Sequence, residues 1–380
     1  MGPTTTGPAI QIVNTAIPKF ERELTDLTKI KHLPLTLMQE KGRIRTGVDG
    51  SYETRYLVDY KECPVTEFAH GSTATYEPRD YTRWAVMDWR GKKGTDSMHE
   101  DEVLTMGGSK SQIVNRWKRA IPKIYQAISR EVSEDFFVDG NGTSATQQTF
   151  HGIESLMGVG TAGNAPDVGD LVAYPDDTYH ELSTQVAQGG TWSTDEATSP
   201  CAAIGSDWPE GSGDREYHYW SPLLVNWSSN AWGTSQVTWE DNCLRALSRT
   251  LTWMRHTQAC TGQLVAIMGI NLFSGFKQVW EAKTRIAPPH GEAVRLGFPD
   301  VLNYEGAMVT TGYGVPSNTV YLFDVSEADL LFLTNKVVVT HKEGVVWDQH
   351  KLCWNFLAYN KGDYKFKPKF CAKMRNYAAS

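Results

Sequence analysis

Gly158, Gly160 and Gly163 have the spacing of a dinucleotide-binding turn. Such a turn works between a strand and a helix N-terminus, where backbone amides meet a pyrophosphate. Pro166 and Gly169 follow at once and disfavour a helix, so a flexible loop is the better reading. Asp139-x-Asn141-x-Thr143 opens like a calcium loop. Its sixth position is Ser144 where Gly is needed, and its twelfth is Phe150 where Glu is needed, which leaves a turn after a helix. The acidic run His99-Glu100-Asp101-Glu102 reads as a solvated face or a helix start. The acidic-aromatic segment Asp207 to Trp220 would suit a sugar in another setting and reads here as a surface loop. Lys361, Lys365, Lys367, Lys369, Lys373 and Arg375 alternate with Tyr364, Phe366 and Phe370. Basic residues among aromatics can track a nucleic-acid backbone, but the period of two predicts a strand with one charged face.

The remaining reactive residues are scattered. The ten histidines contain no His-Glu-x-x-His pair, and neither a Gly-x-Ser-x-Gly elbow nor a Walker loop occurs. Cys63, Cys201, Cys243, Cys260, Cys353 and Cys371 form no Cys-x-x-Cys pair and read as free, mostly buried thiols. The reading is therefore no catalytic residue, no cofactor and no metal site. The net charge of −7 argues against a sequence-specific nucleic-acid binder. No apolar run approaches the roughly 20 residues that cross a bilayer, and no signal peptide opens the chain. Thirteen tryptophans imply either an aromatic core or aromatic interfaces.

The elements that would carry these residues follow from periodicity. Residues 1–50 read as an extended arm with a short helix around 20–30. Residues 51–107 read as a long two-stranded excursion, with strands Arg55 to Tyr60 and Tyr81 to Trp89 about a turn at His70-Gly71-Ser72-Thr73. An isolated hairpin is only marginally stable, so this one should lie on a neighbouring subunit. Residues 109–138 form the clearest helix, with Ile113, Trp117, Ala120, Ile121, Ile124, Ile128, Val132 and Phe136 in one apolar stripe. Pro122 should kink it or begin a second segment, and Asp139-Gly140 should end it. A second helix is expected from Thr238, with Thr238-x-x-Asp241 as a capping box, to about Gln258, ended by Thr261-Gly262. Leu264 to Met268 is a buried strand, and Asn271 could cap a third helix. Strands are expected at Tyr217 to Trp220, Leu223 to Trp227, Val320 to Phe323, Asn335 to Thr340 and Trp354 to Tyr359. The class is α+β.

In this order the segments resemble HK97-like coat proteins of tailed phages. The resemblance rests on the hairpin followed by Met106-Gly107-Gly108 and the long helix, then Phe150-His151-Gly152-Ile153-Glu154-Ser155-Leu156. It continues through Tyr179-His180-Glu181-Leu182-Ser183-Thr184, Gly189-Gly190-Thr191-Trp192, Tyr219-Trp220-Ser221-Pro222, the helix-strand-helix block 238–285 and Tyr359-Asn360. It covers roughly residues 45–375. It implies an N-terminal arm (1–50), an E-loop hairpin (51–107), a spine helix with a peripheral (P) domain (108–235), an axial (A) domain (236–335) and strands returning to the P domain (336–380). It implies a major capsid protein that assembles with itself as hexamers and pentamers into the icosahedral shell around double-stranded DNA. Scaffolding, portal and decoration proteins would be its partners, with no membrane and no sequence-specific grip on DNA. The virion would be its location and the host bacterial cytoplasm its place of synthesis. Some relatives carry a Lys–Asn isopeptide bond, for which no residue here is identified. Two other readings remain open at this stage. A tail or adsorption protein need not have the long helix. A carbohydrate-active hydrolase would need two carboxylates facing across a cleft.

Overall fold

The computed structural model describes residues 33–48, 53–59, 67–71, 73, 82–105, 110–141, 149–159, 171–173, 175–184, 220–233, 237–256, 258–283 and 301–377. The expected arm helix, Met106-Gly107-Gly108, Gly189 to Trp192, and nearly all of Asp207 to Trp220 lie outside these residues. So do Gly160, Gly163, Thr143, Cys63 and Cys201.

The long helix runs Lys110–Asp135 without a break at Pro122, which it contains. Its apolar stripe is buried: Ile113, Trp117, Ile121, Tyr125, Ile128 and Val132 are each at most 6% exposed, while Ala120 and Ile124 sit half-buried on its edge. Burying each such large side chain contributes about 2 kcal/mol. The helix ends three residues earlier than expected. Tight amide bonds from Phe136 to Ser133 and from Phe137 to Glu134 close its last turn. Gly140 is not a left-handed cap. A side chain there would strike Arg90 at 2.7 Å and His151 at 3.0 Å, so close packing explains the glycine.

This helix packs on a five-stranded sheet. Its strands are β1 (Ile44–Thr46), β4 (Arg90–His99), β13 (Asp329–Phe332), β14 (Val339–Asp348) and β15 (Cys353–Lys365). The long β15 pairs antiparallel with all ten residues of β4, from Arg90↔Gly362 to His99↔Cys353. Its other edge takes β14 and then β13. β14 begins at Val339, so Asn335 to Val338, expected in a strand, form an irregular lead-in. His99 ends β4, and Glu100–Thr105 forms a short helix whose first turn is acidic, as the dipole at a helix start favours.

The second sheet has seven strands in the order β10, β11, β9, β12, β16, β8, β5. These are β10 (Leu302–Tyr304), β11 (Ala307–Thr311), β9 (Leu264–Met268), β12 (Thr319–Asp324), β16 (Cys371–Arg375), β8 (Leu223–Asn226) and β5 (Val172–Ala173). Leu264, Ala266 and Met268 face the helices Trp239–His256 and Ile270–Lys283, and Val265 and Ile267 face the core under the long helix. Burial on both faces explains the unbroken apolar run of β9.

Local helix ends differ from expectation in three places. Thr238 donates its hydroxyl to the Asp241 carboxylate at 2.6 Å in place of a reciprocal capping box. The helix it precedes ends at His256, and Ala259, not a glycine, takes the positive φ of 55° after it. Gly262 instead meets Asp324, whose carboxylate accepts its amide at 2.8 Å. Asn271 lies inside the first turn of its helix, which begins at Ile270. The basic C-terminal stretch is not one strand with a charged face. Pro368–Phe370 breaks it, β15 and β16 join different sheets, and Lys373 is buried against Glu154.

Candidate functional site: an exposed hairpin and its buried anchor

β2 (Glu53–Asp59) and β3 (Thr82–Asp88) form the expected antiparallel hairpin, in register from Glu53↔Asp88 to Asp59↔Thr82. The excursion is shorter than 51–107, because the chain rejoins the main sheet at Arg90. Successive side chains alternate between two faces. One face is held down: Ala85 and Met87 are fully buried and Tyr56 is half-buried. The other carries the cross-strand pair Leu57↔Trp84, exposed at 54% and 59%. Phe68, between the two strands, is 86% exposed.

The buried side of the hairpin is tied to a small turn. β6 (Thr178–Tyr179) and β7 (Leu182–Ser183) pair as Tyr179↔Leu182, leaving His180 and Glu181 as a two-residue loop. Both have positive φ, 50° and 64°, the conformation such a tight loop demands and one that side chains resist. The strained turn aims His180 at the hairpin. Its carbonyl accepts the Val86 amide at 3.0 Å, and its Nδ1 lies 2.7 Å from the Tyr56 hydroxyl. Lys365 Nζ sits 4.0 Å over the Tyr56 ring, completing a cation–π contact.

Behind His180 lies a second buried chain. Arg90, the first residue of β4, donates from Nη1 to the Gly140 carbonyl at 2.8 Å and to that of Thr149, and from Nη2 to His151 Nε2 at 2.8 Å. A guanidinium only donates, so His151 Nε2 accepts and its Nδ1 carries the proton given to Asp363 Oδ2 at 2.6 Å. Asp363 Oδ1 takes the amides of His151 and Tyr364 at 2.7 and 2.8 Å. Tyr179 donates to the Tyr364 carbonyl and accepts the Phe366 amide, each at 2.9 Å.

His151, His180 and Asp363 hold their ligand atoms within 4.8 Å of one another, a spacing a metal could use. The donor set does not fit one. Both ring nitrogens of His151 and both Asp363 oxygens are engaged, and the Arg90 guanidinium supplies the positive charge a cation would bring. Of the three residues, His180 keeps one buried ring nitrogen, Nε2, without a hydrogen-bond partner. Burial, then the neighbouring His151, Arg90 and Lys365, hold the His180 pKa well below its ordinary value. The cluster thus ties the hairpin to the rest of the chain through His180.

Other residues singled out in the sequence have structural partners. Asn141 holds the turn after the helix: its backbone amide donates to the Asp139 carboxylate at 2.8 Å, and its side-chain amide donates to the Ser155 carbonyl and the Asp177 carboxylate. Gly158 lets the Asp177 carboxylate approach its amide at 2.9 Å. Cys243 and Cys260 are buried, and burial pushes their thiols up to about 11 and about 12, away from nucleophilic use.

Segments far apart in sequence converge here. Phe150 and His151, Tyr179 and His180, Trp220 and Ser221, and Asp363 and Tyr364 all border the anchor. Gly152 touches the end of the long helix so closely that a side chain would lie 2.1 Å from the Asp135 carbonyl. No family model matches the sequence, and no match was found among curated proteins. Solved structures do match in shape. The cyanophage A-1(L) capsid subunit superposes with a TM-score of 0.56 at 12% identity, covering 91% of this chain and 93% of that one. The capsid subunit of an empty GTA particle gives 0.50 at 9% identity, with 89% of each chain covered. The fold is that of HK97-like coat proteins. Arg90, Asp363 and the strained turn at His180 went unremarked as a site in the sequence, because nothing in their spacing announces that they meet. The signal was indirect: the segments holding His151 and His180 are among those that carry the resemblance.

Proposed function

We propose that this chain is the major capsid protein of a tailed phage, self-assembling into the icosahedral shell that encloses double-stranded DNA. The observation that carries the proposal is the likeness to capsid subunits over nine-tenths of both chains. The exposed Leu57–Trp84 pair on the hairpin supports it, since an apolar face left open on a subunit is suited to a neighbour. In this reading residues 1–50 are the arm, 51–89 the E-loop, 90–235 a strand of the main sheet, the spine helix and the P domain, 236–335 the A domain, and 336–380 the returning strands. The subunit works by geometry, repeating contacts with small angular changes in hexamers and pentamers, and catalyses nothing. Scaffolding, portal and decoration proteins are its further partners, the virion its location, and the bacterial cytoplasm its place of synthesis. Among the described residues no helix is long and apolar enough to cross a membrane. The long helix also favours a shell subunit over a tail component. Negative-stain microscopy with sedimentation of the expressed protein is the test. Closed shells or rings of five and six are expected, and a protein that stays monomeric at all concentrations overturns the proposal.

A further inference from the structure

The long helix carries an asymmetric charge pattern. From Lys110 to Arg130 it contains Arg116, Lys118, Arg119 and Lys123 and no carboxylate, in a chain whose net charge is −7. At 3.6 residues per turn, Arg116, Arg119 and Lys123 share one flank. That flank and β4 enclose an open groove of about 690 Å³, also lined by Thr95, Asp96 and Asn115. Asp96 is the carboxylate inside it, and Arg116 already takes it, at 2.6 Å, together with Glu102 at 3.1 Å. Arg119 and Lys123 are exposed and have no ion-pair partner among the described residues. A solvated helix face normally mixes signs. The same flank does so about two turns further on, where Arg130 pairs with Glu134 at 3.3 Å. In the groove the one lining carboxylate, Asp96, is already taken by Arg116, which leaves the charges of Arg119 and Lys123 unbalanced.

We infer that this groove binds the phosphate backbone of double-stranded DNA without reading bases. The inference rests on the shell reading only for the source of that DNA. Arg116, held by two carboxylates and the Ser97 carbonyl, forms the wall. Arg119 and Lys123, about 6 Å apart along the helix axis, face the phosphates. Backbone contact of this kind positions a duplex and carries no sequence information.

The test is fluorescence anisotropy of a labelled, random-sequence DNA duplex with unassembled subunits across a salt series. Arg119→Gln with Lys123→Gln is expected to make the dependence of log K on log salt shallower by about 2, one step per lost phosphate contact. The charge-matched control Lys283→Gln with Lys351→Gln is expected to leave the slope unchanged. Arg119→Lys with Lys123→Arg is expected to restore it, and thermal melts confirm that each variant folds. An unchanged slope in the first variant, or an equal loss in the control, overturns the inference. So does poly-glutamate binding as tightly as the duplex and being lost in the same variant, which would assign the groove to an acidic polypeptide. Because binding is read on subunits, a chain that binds DNA but forms no shells would sink the shell reading alone.

Discussion

Asp363 is fully buried, and its carboxylate is satisfied by two amides and the His151 ring, with Arg90 behind. Removing it strands a buried guanidinium and two amides. Asp363→Ala is therefore expected to cost about 3–5 kcal/mol, read as a lower urea midpoint at unchanged slope. His180 gives a pH dependence of definite sign. Its folded pKa lies well below the ordinary 6.5, because burial and nearby positive charge oppose protonation. As pH falls through 6.5 the unfolded chain takes up a proton that the folded chain refuses, so stability declines. Asp177 acts oppositely. Burial raises its pKa from 3.8 to about 6, so the folded chain takes up the proton first and gains stability as pH falls from 6 to 3.8. Urea titrations from pH 7.5 to 5.5 should show the His180 decline, and His180→Asn should remove it. At this scale little of the site was legible. Histidines, a carboxylate and an arginine spread from position 90 to 363 have no spacing rule, and only tertiary contact reveals them.

Elements were more legible, since periodicity reports burial. The stripe from Ile113 to Phe136 located the long helix, and the composition of Arg55 to Tyr60 and Tyr81 to Trp89 located the hairpin. The misreadings have a shared cause. Gly140 and Gly262 look like helix-ending residues in sequence, yet each is where another group comes too close for a side chain. The basic, aromatic C-terminus has a period of two, but Pro368 cuts it and both halves are largely buried. Gly94 tests the packing account directly. It sits on β4 where the long helix crosses, and an added methyl would lie 2.6 Å from Ile124. Gly94→Ala is expected to destabilise by about 1–3 kcal/mol, with Ile124→Ala recovering part of the loss in a double-mutant cycle followed by urea unfolding.

At the scale of the whole molecule the two sheets are bound by one shared core, which runs from Trp117 and Phe136 to Tyr321 and Phe323. The final strands contribute to both sheets. The hairpin is different: one face is tied to His180 and the other shows Leu57 and Trp84 to solvent. In the proposed shell this would separate what the subunit needs to fold from what the shell needs to close. Leu57→Glu with Trp84→Glu should change the subunit melt little, because exposed sites away from packed contacts usually shift stability by no more than about 0.5 kcal/mol. In a shell the same two positions would place buried, unpaired charge at every copy of the contact, which is far more costly. Sedimentation and microscopy are therefore expected to show folded subunits without closed particles. Tyr56→Phe provides the opposite arm: losing one hydrogen bond of about 1 kcal/mol should speed amide exchange at Val86 while leaving the outer face intact. If the double variant closes shells as well as the native chain does, the outer face of the hairpin is not a contact. The apolar pair would then be an ordinary exposed patch, and assembly would have to rest on other surfaces of the fold.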